Sequence, residues 1–181
     1  MSKPDFLSSD WRAHFNSPPK IHIVEESQCD TRALSDAAKS VGLTVFTLDA
    51  GRIASRCDLM DGLAASVGFP SYFGRNWDAV SDLLRDLSWA PATGYVLMIT
   101  GADNLLAIGT NDFQTFVQVL DTAVHHWWDE RGEYSERSAP VSFHVVLCGT
   151  DKLRGTLPSL SDTIICVHHH QASATADEIK H

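Results

Sequence analysis

No cysteine pair of metal-binding or dithiol spacing occurs in the chain: Cys29, Cys57, Cys148 and Cys166 are scattered through 181 residues without a CxxC. That scatter disfavours a zinc knuckle and thioredoxin-like chemistry, and the four are expected to be reduced, mostly buried thiols. No apolar run approaches the roughly 20 residues needed to cross a bilayer. The start, MSKPDFLSSDWRAHF, is interrupted by Asp5, Asp10 and Arg12 before an apolar h-region forms, so no secretory signal is expected and the cytoplasm is the simplest address. Also missing are GxGxxG, GxxxxGK[ST] and GxSxG, which leaves nucleotide cradles and hydrolase elbows without support. Positive charge is scarce as well. Fourteen Lys and Arg face 23 Asp and Glu, a formal net charge of −9 that opposes direct binding to nucleic acid or an anionic membrane and favours fast encounter with a basic partner.

What is present is a globular balance, 44% hydrophobic and 20% charged, in a length that suits one well-buried core and is short for two. Residues 1–20, with Pro4, Pro18 and Pro19, read as an N-terminal arm in which Leu7, Trp11 and Phe15 are spaced to lay a short helix on the domain. Residues 21–170 then read as a single α/β domain, and residues 171–181 as a disordered tail with little to bury. Within the domain, IHIVEE (21–26), LTVFTLDA (43–50), YVLMITG (95–101) and VSFHVVLCG (141–149) have strand character, and TIICVHH (163–169) adds a candidate edge strand. Helices are expected over 31–42, over 58–67 with Gly68 as its stop, from Asn76 onward, and over 112–131. Strands alternating with helices imply a largely parallel sheet covered by helices.

The most informative stretch is Pro70 to Trp89, PSYFGRNWDAVSDLLRDLSW. At about 100° per residue, Trp77, Ala79, Val80, Leu83, Leu84 and Leu87 fill one half of a helical wheel, and Asp78, Ser81, Asp82, Arg85 and Asp86 fill the other. Asn76 is positioned as the N-cap. Asp78 gains from the helix N-terminus wherever the helix sits, but Asp82 stands a turn later, where like charges at i and i+4 repel. The pair therefore points to a cationic partner. Ahead of it, Phe69 and Phe73 are expected to tuck into the core, Tyr72 to be the exposed ring, and Gly74 to supply a positive-φ turn into the helix.

FPSYFGRNWDAVSDLLRDL resembles the signature loop and helix of the barstar family of ribonuclease inhibitors, and the order of elements around it is similar from Leu43 to Gly149. The resemblance implies a small α/β fold with a parallel sheet, here with N-terminal and C-terminal extensions. It implies an inhibitor or immunity protein rather than an enzyme, which plugs the cationic active site of a ribonuclease or related basic toxin. By position the inhibitory tyrosine is Tyr72 and the two helix carboxylates are Asp78 and Asp82, with Gly74, Asn76 and Ser81 completing the partner-binding set. No cofactor or metal is implied, and the free protein is expected to be a monomer. Two departures stand out. Ser81 replaces the tryptophan that barstar places between its aspartates, and Arg75 replaces an acidic residue after the loop glycine, so the implied partner differs from the barnase type. The family's further acidic contact falls near Asp121 or Thr122.

Two other readings compete with that one. A binding module with a non-nuclease partner keeps the same fold. A metal-dependent enzyme would use His125 with Asp129, or His126 with Glu130, at i and i+4, but HHWWDE lacks the HExxH order. In the run His168 to His170 the residues alternate sides, so at most two can converge.

Overall fold

A computed structural model describes residues 6–129, 141–157 and 164–167 of the chain. Five strands, β1 (Ile21–Glu25), β2 (Thr44–Asp49), β3 (Gly94–Thr100), β4 (Ser142–Gly149) and β5 (Ile164–Val167), form one sheet in the order β2-β3-β4-β1-β5. Every pairing is parallel, with Thr44 opposite Tyr95, Gly94 opposite Ser142, Ile21 opposite Val145 and Ile21 opposite Ile164 on its other side. TIICVHH accordingly supplies an edge strand, Ile164–Val167, beside β1.

Apart from His22 and His144, the central strands are apolar on both faces, as a parallel sheet covered on both sides requires. On one face Ile21, Ile23, Tyr95, Leu97, Ile99, Phe143, Val145 and Leu147 pack under α3 (Arg56–Val67), α4 (Trp77–Asp86) and α5 (Thr110–Asp129). On the other, Val24, Val96, Met98, Val146 and Cys148 meet Trp11 and Phe15 of α1 (Phe6–Phe15) and Leu34, Ala37 and Ala38 of α2 (Thr31–Ser40). A one-residue slip of register would exchange the two sets, so the faces fix the pairing. Short segments without strong periodicity complete the described residues: 3-10 segments over Glu26–Gln28 and Ala102–Ile108 and the short α6 (Asp151–Thr156).

Helix boundaries follow their capping residues. The Asp30 carboxylate accepts from the backbone N–H groups of Arg32 and Ala33 at the start of α2. Ser55 caps α3, while the Asp58 carboxylate accepts in return from the Ser55 hydroxyl and the Ala54 N–H. Those bonds, the Ser55 hydroxyl first, hold the Asp58 carboxyl below the usual carboxylate range. Gly68 ends α3 at φ +72°, a conformation that suits glycine.

The thiol expectation is corrected by the fold. Cys29 and Cys148 form a disulfide across 119 residues, with Cα atoms 6.0 Å apart, and Cys57 is a free, exposed thiol. Parallel pairing of β1 with β4 brings the two sulfurs together, a proximity that spacing in the chain does not reveal. Beneath α1 lies a second long-range polar pair. His22 and His144, both fully buried, share a ring-nitrogen contact of 3.2 Å between Nε2 of His22 and Nδ1 of His144. Among the described residues, no helix is long and apolar enough to cross a membrane.

Candidate functional site

The loop and helix singled out in the sequence lie on the α3–α4–α5 face. Phe69 and Phe73 are partly buried with ring centroids 4.9 Å apart in an edge-on contact, and the Trp89 ring stands edge-on to Phe69. With both neighbours turned inward, Tyr72 points out. At 72% exposure it is the one large hydrophobic side chain left in solvent among the described residues. An isolated exposed tyrosine is unremarkable on a surface, but one held between two anchored phenylalanines is presented rather than merely left over.

The positive-φ role expected of Gly74 falls to Arg75 instead. The left-handed residue is Arg75, at φ +52°, and Gly74 has no positive φ. Glycine at 74 serves close approach instead, because a Cβ there would stand 3.0 Å from Nδ2 of Asn76, whose amide donates to the Gly74 carbonyl. Arg75 pairs with Asp61 of α3 at 2.5 Å, so the strained residue is tied to a neighbouring helix. Asn76 caps α4 as its position predicts, accepting from the Ala79 N–H at 2.8 Å.

Helix α4 is anchored by fully buried Val80 and Leu84 and by Leu87, whose φ of +44° closes the helix. The half-buried Trp77 donates its indole N–H to Asp112 of α5 at 3.0 Å, and Arg56 of α3 lies 3.8 Å from the same carboxylate. Trp127 of α5 donates to the Leu84 carbonyl at 2.8 Å. The acidic face is thus mounted on a helix fixed at both ends. Asp112, Asp61 and Arg56 were not legible as part of this arrangement, since each acts across elements far apart in the chain.

The two carboxylates on that face differ. Asp78, in the first turn, is exposed and has no ion pair within 4.0 Å among the described residues. Asp82 accepts from Arg85 at 2.6 Å, and the Arg85 Nε also donates to the Ser81 carbonyl at 3.1 Å. Ser81 is half-buried between them. Asp121 stands elsewhere on α5, 3.5 Å from the His125 ring and with its other carboxylate oxygen buried. His125 thus meets a carboxylate one turn before it; Glu130, His168, His169 and His170, and the Asp129 side chain, lie outside the described residues. No group of three or more His, Cys, Asp or Glu side chains among the described residues is arranged to hold a metal ion.

Residues 43–148 match the barstar (barnase inhibitor) family, a span that runs from the lead-in to β2 to the penultimate residue of β4 and includes Tyr72, Asp78 and Asp82. The chain belongs to the barstar family. No curated protein matches it. Among solved structures, it is similar to the ORC2 protein of Aeropyrum pernix in its ADPNP–ADP complexes, at 13% identity and a TM-score of 0.54, covering 88% of this chain and 44% of that one. A Walker-type ATPase of Pyrococcus abyssi is similar at 12% identity and a TM-score of 0.47, over 84% of this chain and 47% of that one. The chain spans less than half the length of either, and at such identity the first likeness is one of fold alone: a parallel sheet between helical layers.

Proposed function

We propose that this chain is a non-enzymatic inhibitor that blocks a ribonuclease or related basic toxin, in the manner of an immunity protein. The observation that carries the reading is the presentation of Asp78 and Asp82 on successive turns of one anchored helix, beside the exposed ring of Tyr72. Carboxylates so spaced stand in for substrate phosphates, accepting charge-assisted hydrogen bonds from the arginines and lysines that would otherwise hold RNA. Tyr72 covers the rim of the contact with apolar area and a phenol, while Gly74 and Asn76 shape the approach and Ser81 leaves room between the acids.

Arg75 and Arg85 set the proposed partner apart from barnase itself, because they add positive charge to a face that would otherwise be purely acidic. The non-enzymatic part of the reading rests on the family match over residues 43–148.

The test is titration of the purified protein into basic secreted ribonucleases, barnase included, with a fluorogenic RNA substrate. Inhibition of at least one is expected, and Asp78→Ala with Asp82→Ala should abolish it. Truncating one member of a buried charge pair typically costs about 2–5 kcal/mol, a range to which this family's own inhibitor–enzyme pair contributed. Asp78→Ala should cost more than Asp82→Ala, because Asp82 already shares its charge with Arg85. If the double variant inhibited as well as the wild type, the proposed site would be wrong. Binding of a basic partner without nuclease activity through the same residues would favour the binding-module reading.

A further inference from the structure

In an open α/β sheet, the ends of adjacent strands whose connections leave to opposite faces form a crevice, and ligands settle there against helix N-termini. Here the crevice lies at the carboxyl ends of β1 and β4. The chain leaves β1 for α2 on one face of the sheet and β4 for α6 on the other. Nothing about this crevice is built for an anionic ligand. Asp30 occupies the first amides of α2, and Asp103 accepts from the backbone N–H groups of Thr150 and Leu153 at the start of α6. The Cys29–Cys148 disulfide spans the gap between the two strands.

The bond also crosses a second boundary. Cys148 is the last residue of the barstar-family match, whereas Cys29 belongs to the α1–β1–α2 segment outside it. Helix α2 has a shallow grip on the sheet: its buried side chains are Leu34, Ala37 and Ala38. Two alanines and a leucine remove little apolar area from water, so a ten-residue helix held by them alone opens locally at small cost. The covalent tether enters one residue before its N-cap.

We propose that Cys29–Cys148 is a redox latch, closed over the switch-point crevice, that decides whether α2 stays docked on the barstar-family core. Closing it removes two protons and two electrons from the two thiols. The acceptor is a small disulfide oxidant such as glutathione disulfide, which departs as two glutathione thiols. Opening is the reverse exchange, in which an external thiolate attacks the half-buried Cys29 sulfur and releases the Cys148 thiolate from the core. The acidic face on α4 lies across the sheet and does not take part.

Trypsin reads this state directly, because α2 carries exposed Arg32 and Lys39 and α4 carries Arg85. The full chain, bearing Cys57→Ser and Cys166→Ser to leave one thiol pair, is held in excess glutathione disulfide or in excess reduced glutathione and digested briefly. Reduction should raise cleavage after Arg32 and Lys39 at least tenfold and leave cleavage after Arg85 within twofold. Hydrogen exchange of the α2 amides should accelerate by a similar factor, and Cys29→Ser with Cys148→Ser should behave as the reduced form in both buffers. Equal cleavage of α2 in the two redox states overturns the latch, as does free Cys29 and Cys148 in the oxidising buffer. An equal rise at Arg85 overturns it too, since the bond would then govern the whole fold.

Discussion

Acidification should destabilise this protein well before its carboxylates titrate, and the buried histidine pair is the reason. His22 and His144 are fully enclosed, with the rings of Trp11 and Phe15 packed against them from α1. Burial, joined by the nearby charges of His144, His14 and Lys20, lowers the His22 pKa from 6.5 to about 3. His144 falls from 6.5 to about 4, again by burial first, opposed in part by a hydrogen bond to the Phe15 backbone, with His14 adding a smaller lowering. Both folded-state values lie below the unfolded one, so between them the unfolded chain binds more protons and stability falls as the pH falls. The stabilisation is complete above pH ~7.5, where both states are neutral, and it erodes from the unfolded pKa downward. At pH 5 each histidine costs about 2 kcal/mol, or roughly 4 kcal/mol for the pair, a large share of the 5–15 kcal/mol of a typical domain. Urea titrations followed by tryptophan fluorescence at pH 7.5, 6 and 5 measure the loss. His22→Leu with His144→Leu, which removes both partners of the shared contact, should flatten the profile over that range. A wild-type profile flat to within about 1 kcal/mol, or an equal fall in the double variant, would refute the argument.

Two further substitutions probe the loop and helix. Trp77→Phe keeps most of the apolar contact with Phe116 and loses the indole bond to Asp112, so a stability loss of about 1 kcal/mol is expected in urea denaturation, with no change in net charge. Arg75→Gly relieves a left-handed arginine while giving up an exposed ion pair, terms of about 1 kcal/mol and 0–1 kcal/mol that nearly cancel. Arg75→Ala keeps the strain and loses the pair, so it should be the less stable of the two; the opposite order would mean that the backbone at 75 relaxes freely.

Legibility in the sequence followed the range of the interactions. The amphipathic α4, its Asn76 cap, the stop at Gly68 and the inward Phe69 and Phe73 are local, set by periodicity and by capping within four residues, and the structure carries all of them. The resemblance over 43–149 coincides with the family match over 43–148 for the same reason, since it rests on a contiguous motif. Features joined only by strand pairing or helix packing were hidden: the Cys29–Cys148 bond, the histidine pair, and the Trp77–Asp112–Arg56 cluster all connect residues more than 20 apart. The shift of the positive φ from Gly74 to Arg75 has a different origin. Glycine permits a positive φ without requiring it, and here a side-chain amide 3.0 Å from the missing Cβ and an ion pair to Asp61 decide the matter.

The division of the sheet into two faces also explains why a family site can coexist with so much added chain. The acids, Tyr72 and the polar contacts that fix α4 come from residues 56–127 on the α3–α5 face, inside the family match. The added β1 and β5 extend the sheet beyond β4, at the edge away from β2, and α1 and α2 cover the opposite face. Because β1 and β4 are hydrogen-bonded neighbours, the addition is continuous with the core, and Ile21 and Ile23 of β1 join the apolar layer beneath α3–α5, while α1 and α2 lie across the sheet from α4. Reduction of the disulfide, which loosens α2, therefore acts on the second layer while leaving the presentation of Asp78 and Asp82 as it is. That separation is physically testable in a single sample, because the helix that should loosen and the one that should not each carry a basic residue for the same protease: exposed Arg32 and Lys39 on α2, and Arg85, partly exposed, on α4.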